Sequence, residues 1–366
     1  MLYKSHACLL ALILAFFSGA WCGTCRSDVP AAAVQKTQIA DGIYLFTSPD
    51  IDGIEVDGNS IAIVGPEDVL VFDTNVLPSS AQRVLAEIRK ITNLPVRYVV
   101  NSHWHPDHWD GNEVYAREFP GVEIIATAET RRLMDGTMHV YGKTIEKLAG
   151  DGAKQMQEML QTGKNPDGSA LSAADRKEMV DDLRIQKEFM VEYDAMKPVL
   201  PTLVFDDQIT LRGGSREMQI LHLPGNTAGD AVLYLPKEKI LLTGDLLTSP
   251  IPFGADSHPA RWIESLKTLG RMDVDLIVPG HGAALHDKAY LELMRQALQS
   301  VEDQVRQALA RGMTLEDTRK FVTFDELRAK FTHDDANLNA EFDANFAQPI
   351  VLQVYDEATE GLERYQ

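Results

Sequence analysis

Cysteine is nearly absent from this chain of 366 residues. Its three cysteines, Cys8, Cys22 and Cys25, all lie near the amino terminus, so the remainder cannot be a disulfide scaffold. Basic residues are also scarce, because 35 Lys and Arg stand against 54 Asp and Glu, for a formal net charge of −19. An acidic chain without a basic run repels polyanions. We therefore expect no nucleic-acid partner, which argues against a nuclease.

The apolar run at the amino terminus, Ala7 to Phe17, is too short to span a membrane. With Lys4 before it and small residues at 18–20 after it, the run predicts a signal peptide over residues 1–20. We therefore expect a secreted or periplasmic protein whose mature form is not stably inserted in a membrane. Lipid attachment at Cys22 or Cys25 is the alternative, although the residue before each fits an anchor poorly.

Histidine is concentrated in one short segment. Residues 103–108 read His-Trp-His-Pro-Asp-His, although the whole chain has only ten histidines. The segment follows Val96–Val100, whose apolar and β-branched residues predict a buried strand. Open α/β sheets place their sites at the carboxyl ends of strands. Imidazole and carboxylate groups are ligands for zinc, and also for iron or manganese. The competing interpretation is a surface loop without a ligand.

The spacing within this segment divides it into two pairs of ligands. Residues two apart in an extended chain face the same side, so His103 and His105 can converge on one ion. Pro106 then turns the chain, and Asp107 and His108 face a second point nearby. Such a division suits two metal ions about 3.5–4 Å apart.

Two further apolar strands end in a possible ligand. Leu241–Leu242 runs into Thr-Gly-Asp245, and residues 275–278 run into Pro-Gly-His281-Gly. Either segment alone is a weak signal, since a Gly-Asp turn or a capping histidine would explain it. Three strand ends carrying ligands in one chain together predict a metal site.

With these segments in place, residues 38–290 resemble the metallo-β-lactamase superfamily. The resemblance implies an α/β fold, a four-layer αββα sandwich, which here carries a helical insertion and a helical C-terminal extension. It implies a centre with two zinc ions, iron or manganese being the alternatives, and hydrolysis by a metal-activated hydroxide. The implied ligands are His103 and His105 at the first metal position, Asp107, His108 and His281 at the second, and Asp245 as a bridge.

One position departs from the family's pattern. The family's Pro-Gly-His-Thr turn supplies a histidine to the first metal position, but residues 224–227 read Pro-Gly-Asn-Thr. An amide oxygen is a weaker zinc ligand than imidazole. Either Asn226 or a water that it holds completes the first position, or that position is weakened. His222, earlier on the preceding strand, is interpreted as a residue of the core or behind the ligands.

The same motifs discriminate among branches of the family. The mononuclear iron dioxygenases rely on the histidine that Asn226 replaces. The Gly-Asp245 motif resembles the thioesterase, lactonase and nuclease branches, whereas authentic β-lactamases generally carry Cys or Ser there. We therefore predict a hydrolase of a small-molecule ester, thioester, lactone or amide, with Asp107 as its catalytic residue. A β-lactamase proper and a non-catalytic metal-binding accessory protein of the periplasm are the alternatives.

The pattern along the chain divides it into four parts. Residues 1–20 are the signal peptide, 21–37 a linker, 38–290 the metallo-hydrolase domain and 291–366 a helical extension. A helical insertion at about 130–200, assigned to the junction of the two sandwich halves, carries seven of the twelve methionines. It is either a cover over the metals with an adaptable apolar wall or a packed helical addition.

Four other side chains are candidates for the surroundings of the metals. Trp104, Trp109 and Phe253 could line an apolar pocket, although core packing is expected for at least one of them. Asp73 ends a strand, and it either supports a ligand or caps a turn.

Overall fold

Two β-sheets lie face to face between layers of helices, as the resemblance implies. The computed structural model describes residues 33–48, 57–166 and 168–361. The predicted signal peptide and both cysteines after it therefore lie outside the described residues. Within the described ranges, no helix combines the length and apolar character that crossing a membrane requires.

The first sheet has seven strands in the order of the sequence. Strands β1 to β4 pair antiparallel, and β4 to β7 pair parallel. The strands are β1 Gln35–Ala40, β2 Ile43–Thr47, β3 Ser60–Val64, β4 Val69–Phe72, β5 Val96–Val100, β6 Glu123–Thr127 and β7 Leu203–Phe205.

The second sheet has five strands in the order β12-β11-β10-β9-β8. All neighbours pair antiparallel except β11 and β12, which are parallel. The strands are β8 Gln208–Gly213, β9 Arg216–His222, β10 Ala231–Leu235, β11 Ile240–Leu242 and β12 Leu276–Val278.

The predicted linker ends too late. Residues 35–37 already belong to β1, whose Gln35 pairs with Thr47 of β2. The first residues of β1 are exposed and polar, so the alternation that marks a half-buried strand is missing. Backbone hydrogen bonds to β2, rather than burial of side chains, hold these residues in the sheet.

Three apolar clusters build the layers. The cluster between the sheets joins β2, β3 and β4 to β9, β10 and β11. Outside the first sheet, α1 (Pro78–Arg89) and α3 (Asn112–Glu118) cover its other face. Outside the second sheet lie α6 (Pro259–Arg271) and α7 (Ala289–Ala310). Each helix buries one apolar stripe, which is why the four layers hold together.

The insertion is a pair of long helices, α4 (Ala128–Thr162) and α5 (Ala173–Ala195). It does not lie at the junction of the two halves as expected, because β7 follows it and still pairs with β6 in the first sheet. A strand of three residues leaves too short a pattern to reveal which sheet it joins.

The C-terminal extension is helical and packs against the second sheet's helices. It contains α8 Leu315–Phe321, α9 Asp325–Thr332, α10 Ala336–Glu341, a π-helical segment Phe342–Ala347 and α11 Gln348–Glu360. Its aromatic side chains Phe324, Phe331, Phe342 and Phe346 join the same apolar cluster as α6 and α7. The extension is therefore part of the fourth layer of the sandwich.

Candidate metal centre

The histidine-rich segment follows β5 directly, at the carboxyl end of a buried parallel strand. His105 is still extended, with φ −67° and ψ 139°, and it precedes the short helix α2, Pro106–Trp109. Proline suits the first helical position because its fixed φ fits the helix and no hydrogen-bonded N–H is lost. The change from extended chain to helix at Pro106 divides the ligands into two pairs.

The first cluster consists of His103, His105 and Asp245, all buried, with one ligand atom of each within 4.8 Å of the others. His103 Nε2 lies 2.8 Å from His105 Nδ1, so the two rings converge on one point. Asp245 Oδ2 lies 3.7 Å from His103 Nε2. The structure thus brings together two imidazoles and a carboxylate.

The second cluster consists of Asp107, His108 and His281, again with ligand atoms within 4.8 Å of one another. Asp107 Oδ2 lies 2.9 Å from His281 Nε2 and 3.0 Å from His108 Nε2. His281 comes from the turn after β12, in the other sheet. The two sheets therefore assemble this cluster between their strand ends.

Asp245 faces both clusters. One of its carboxylate oxygens, Oδ2, points to the first cluster, whereas Oδ1 lies 3.3 Å from His108 Nε2 and 3.8 Å from His281 Nε2. A single-turn helix, Gly244–Leu246, fixes the side chain directly after β11. This is the geometry that a bridging carboxylate needs.

The charges of the clusters suit bound cations. Burial raises the pKa of Asp107, but His108 and His281 outweigh it and hold the pKa well below its usual range. Burial lowers the pKa of His281, but Asp245 and Asp107 raise it to about 9. Burial, helped by the neighbouring imidazoles, lowers the pKa of His103, which favours the neutral form that binds metals. Burial lowers the pKa of His108 too, but Asp107, Asp245 and Asp73 raise it well above its usual range. The carboxylates that face the imidazoles of His108 and His281 would attract a metal cation in the same way.

Several buried ligand atoms have no hydrogen-bond partner within the described ranges. They include His105 Nε2 of the first cluster and Asp245 Oδ1, the oxygen that faces the second cluster. Leaving buried polar atoms unpaired is costly, and a metal ion would satisfy them. Imidazoles and carboxylates in these numbers fit zinc, and the residues present therefore fit a pair of divalent ions.

Asp73 supports a ligand, one of the two roles considered for it. Its Oδ2 accepts a hydrogen bond from His108 Nδ1 at 2.8 Å and another from Ser102 Oγ at 2.7 Å. Ser102 Oγ in turn lies 2.9 Å from His103 Nδ1. One carboxylate thereby orients a histidine of each cluster. Such partners fix the ring and raise its basicity toward metal.

The Pro-Gly-His turn is held against the Gly-Asp turn and against the first sheet. Gly280 N donates to Gly244 O at 2.9 Å, and a Cβ at Gly280 would collide with Asp245 Oδ1. Asn59, the residue before β3, donates through Nδ2 to Pro279 O at 3.0 Å and Gly282 O at 2.8 Å. Glycine is required at 280 because the two ligand turns approach so closely.

Asn226 and His222 occupy different surroundings. Asn226 is fully buried, and its Nδ2 donates to Phe253 O at 2.8 Å. His222 lies outside both clusters, with Nδ1 2.8 Å from Asp206 O and Nε2 2.9 Å from Ala228 O. His222 is half-buried and holds two backbone segments together, which differs from the core position or the position behind the ligands expected of it.

The three candidate aromatic residues form two groups, one in contact with His105 and one packed against the insertion. The rings of Trp104 and Phe253 contact the His105 ring edge-on, with centroids 4.8 and 5.5 Å away. Trp109 is buried with Met134, and Met190 and Tyr193 of the insertion pack on the same cluster. Trp104 belongs to both groups. The insertion thus covers the outer side of the tryptophans beside the first cluster.

Sequence reasoning missed several residues around the ligands. Asn59 looks like a simple strand start, and Ser102 like a loop residue. Asp57 is buried near Asp107, and its Oδ1 accepts from Val76 N at 2.9 Å. Asp256 Oδ2 lies 3.9 Å from His105 Nε2. Of these four residues, only Asp57 and Asp256 are of a type that commonly binds metals. Acidic residues are so frequent on this chain that the residue type alone does not single them out.

This chain belongs to the metallo-β-lactamase superfamily. The family's profile, described as the metallo-beta-lactamase superfamily, matches residues 53–281, which is more than half of the chain. The matched region contains all six residues of the two clusters and Asn226. The resemblance inferred from the motifs is therefore confirmed.

Curated relatives carry the names of hydrolases. The chain is 25% identical over 263 residues to a linear primary-alkylsulfatase of Pseudomonas sp. (strain ATCC 19151), a match that covers 69% of this chain and 47% of the relative. It is 30% identical over 92 residues to the acyl-coenzyme A thioesterase MBLAC2 of Bos taurus, covering 24% of this chain and 33% of the relative. The chain thus spans half or less of the length of these relatives.

Solved structures share the fold. A metallo-beta-lactamase from Pontibacter korlensis aligns with a TM-score of 0.51 at 20% identity, over 73% of this chain and 99% of its own. The structure of VMB-1 aligns with a TM-score of 0.50 at 15% identity, over 73% and 97% of the two chains. At such identities the likeness establishes the αββα sandwich and nothing about substrate.

Proposed function

We propose that this protein is a metal-dependent hydrolase that cleaves an ester or thioester of a small molecule. The observation that carries the proposal is the pair of ligand clusters with Asp245 facing both. Such a pair can hold two divalent ions, for which zinc is the expected metal, with iron and manganese as alternatives. When bound, these ions would lower the pKa of water and polarise the bond to be attacked.

Asp107 is the proposed catalytic residue. Of the two carboxylates that reach the second cluster, the side chain of Asp107 is 22% exposed and that of Asp245 only 6%. Asp107 is therefore the one that substrate and water can reach. Its low pKa keeps it ionised, so that it can bind metal and orient water by accepting a hydrogen bond. As the acceptor of that hydrogen bond, it is also the group placed to take the proton of the water.

The relatives favour a substrate with an apolar part. Their named activities, on primary alkyl sulfates and on acyl-coenzyme A, involve an alkyl or acyl group. We therefore place alkyl and acyl esters before lactones and amides, and before β-lactams.

Export is proposed from the sequence of residues 1–20 alone. An export signal there would deliver the enzyme to the periplasm or the exterior. The enzyme would then meet its substrate outside the cytoplasm. Amino-terminal sequencing of the protein recovered from a cell fraction tests this, and an intact amino terminus in the cytoplasmic fraction would contradict it.

The decisive experiment couples metal analysis to a substrate panel. Mass spectrometry under native conditions counts zinc per chain, and the same sample is offered an aryl ester, an alkyl sulfate, an acyl thioester, a lactone and nitrocefin. Two zinc ions with turnover of an ester or thioester, lost with a chelator and restored by zinc, support the proposal. Turnover of nitrocefin alone would indicate a β-lactamase. One weakly held ion without any turnover would indicate the accessory protein instead.

A further inference from the structure

We propose that the amide oxygen of Asn226 is the fourth ligand of the first metal position, aimed by the backbone carbonyl of Phe253, which the C-terminal extension holds in place. This inference rests on the proposed metal centre. It goes further by assigning the ligand that the family pattern lacks and by giving the extension a role in metal binding.

The orientation of the amide is fixed by its hydrogen bond. Asn226 Nδ2 donates to Phe253 O at 2.8 Å. Exchanging the oxygen and nitrogen of the amide would set two oxygens against each other, so the assignment follows from the network. The oxygen must then point away from Phe253 O. Because Asn226 is fully buried and its Oδ1 has no hydrogen-bond partner among the described residues, this oxygen is available to a cation.

Neighbouring contacts place Asn226 beside the first cluster. The ring of Phe253 contacts the ring of His105. Ala231 N, at the end of the Asn226 turn, donates to Ser102 O at 2.7 Å, next to His103. Gly225, which precedes Asn226, lies against Leu246, the residue after Asp245. The turn thus touches a neighbour of each member of the cluster.

The turn that carries Asn226 is rigid. Asp230 accepts from Thr227 N at 2.8 Å and from Thr227 Oγ1 at 2.6 Å. Thr127 Oγ1 and Thr130 Oγ1, at the start of the insertion, both donate to Gly229 O. A ligand held on such a turn loses little conformational entropy when a metal binds, which compensates in part for the weakness of an amide oxygen.

The C-terminal extension holds the other partner of the amide. Gly254 N, next to Phe253, donates to Asn345 O of the π-helical segment at 2.8 Å. A Cβ at Gly254 would lie 3.2 Å from Ile350 Cβ and 3.3 Å from Phe346 Cδ2, so the loop sits directly on these helices. The position of the Phe253 carbonyl is therefore determined by residues outside the matched family region.

The first test replaces the ligand. Asn226→Leu keeps the branched shape of the side chain but removes the oxygen and nitrogen of the amide, and we expect zinc affinity at the first position to fall about 100-fold while the second ion stays bound. Asn226→His should bind two ions more tightly. Native mass spectrometry counts the ions, and zinc titration gives both affinities. Unchanged stoichiometry and affinities in Asn226→Leu would overturn the assignment.

A spectroscopic readout keeps the test independent of the stability of the Leu variant. With cadmium in both positions, cadmium NMR reports the nitrogen and oxygen ligands of each ion. The resonance of the first position in the folded protein should move on Asn226→Leu, which removes the amide oxygen, while that of the second stays in place. If neither resonance moves, the amide is not a ligand.

The second test concerns the extension and uses a matched pair of buried phenylalanines. Phe346 contacts Gly254 of the loop, whereas Phe331 lies in the same aromatic cluster with its ring facing Phe342 and Tyr290. Phe346→Leu and Phe331→Leu should lower the melting temperature similarly. Only Phe346→Leu should weaken zinc at the first position, by about 3- to 10-fold. Equal zinc affinities in the two variants would overturn the role of the extension.

Failure of this inference is distinguishable from failure of the metal centre. A wild-type protein that binds fewer than two ions, or binds them without turnover, contradicts the proposed function. A wild-type protein that binds two ions and turns over substrate, with Asn226→Leu indistinguishable from it, contradicts only the assignment of Asn226.

Discussion

The two ligand clusters differ in how much charge each holds. The second cluster contains one carboxylate, that of Asp107, and also faces the carboxylate of Asp245. The first cluster has two imidazoles, its share of Asp245 and the neutral amide of Asn226 beside it. Because attraction to a cation grows with the ligands' negative charge, we expect the second position to fill first. The two positions of the proposed centre thus need not be equivalent, even though Asp245 faces both clusters.

The largest effect is expected at the second cluster. Asp107→Ala removes its own carboxylate and the proposed proton acceptor, so hydrolysis should fall by about 10³-fold or more. The side chain is partly exposed and the fold should persist. Initial rates on the best substrate of the panel, with circular dichroism as the control for folding, measure the outcome. Full activity in this variant would refute the assigned role.

A smaller effect, shared by both clusters, is expected at Asp73. Asp73→Asn disturbs the bond to His108 directly and the bond to His103 through Ser102, so zinc affinity should fall about 10- to 100-fold at both positions. Asparagine also tolerates the left-handed backbone of residue 73, where φ is 59°. Competition with a chromogenic chelator gives the two affinities.

Ser102→Ala is the matched control for this prediction. The Ser102 hydroxyl lies between Asp73 and His103 and touches no ligand of the second cluster in the contacts described above. Its loss should weaken only the first position. If Ser102→Ala lowered zinc affinity equally at both positions, Asp73 would not act on the first cluster through Ser102 and on the second through His108.

The smallest effect is expected at Glu357, a residue of the extension outside the contacts that hold the Phe253 loop. Burial raises the pKa of Glu357 to about 7, Glu302 adds to the rise, and Ala260 N and Arg261 oppose it. The folded state therefore holds its proton more tightly than the unfolded state, and stability is lost as pH rises from about 4.5 to 7. Glu357→Gln should be more stable than wild type by about 1–2 kcal/mol at pH 8, and equal to it near pH 4.

Urea unfolding at the two pH values measures this difference. Gln keeps an oxygen for Ala260 N, which Glu357 Oε2 accepts at 3.2 Å. Zinc content and activity should not change. A stability gain that is the same at both pH values, or a loss of metal from the first position, would contradict the prediction.

Much of the fold was predictable because its signals are local. Val96–Val100 is a strand with the predicted boundaries, and the apolar strand predicted before Thr-Gly-Asp245 is Ile240–Leu242. Their apolar runs end at turn residues, which the sequence displays directly. The edge strand β1 was hidden in the predicted linker, since exposed polar residues carry no such pattern. The sheet that β7 joins was equally hidden, because pairing depends on distant partners.

Each ligand that we propose stands in a short motif at the end of an apolar strand, so local sequence is enough to name the set and to reveal the departure at Asn226. Which atoms face one another depends on the folded arrangement of the whole domain. The hydrogen bonds from Asn59 to the Pro-Gly-His turn, from Asn226 to Phe253, and from Gly254 to the C-terminal helices join segments far apart in the chain. No local pattern encodes such bonds, since they arise from the packing of two sheets and their helices.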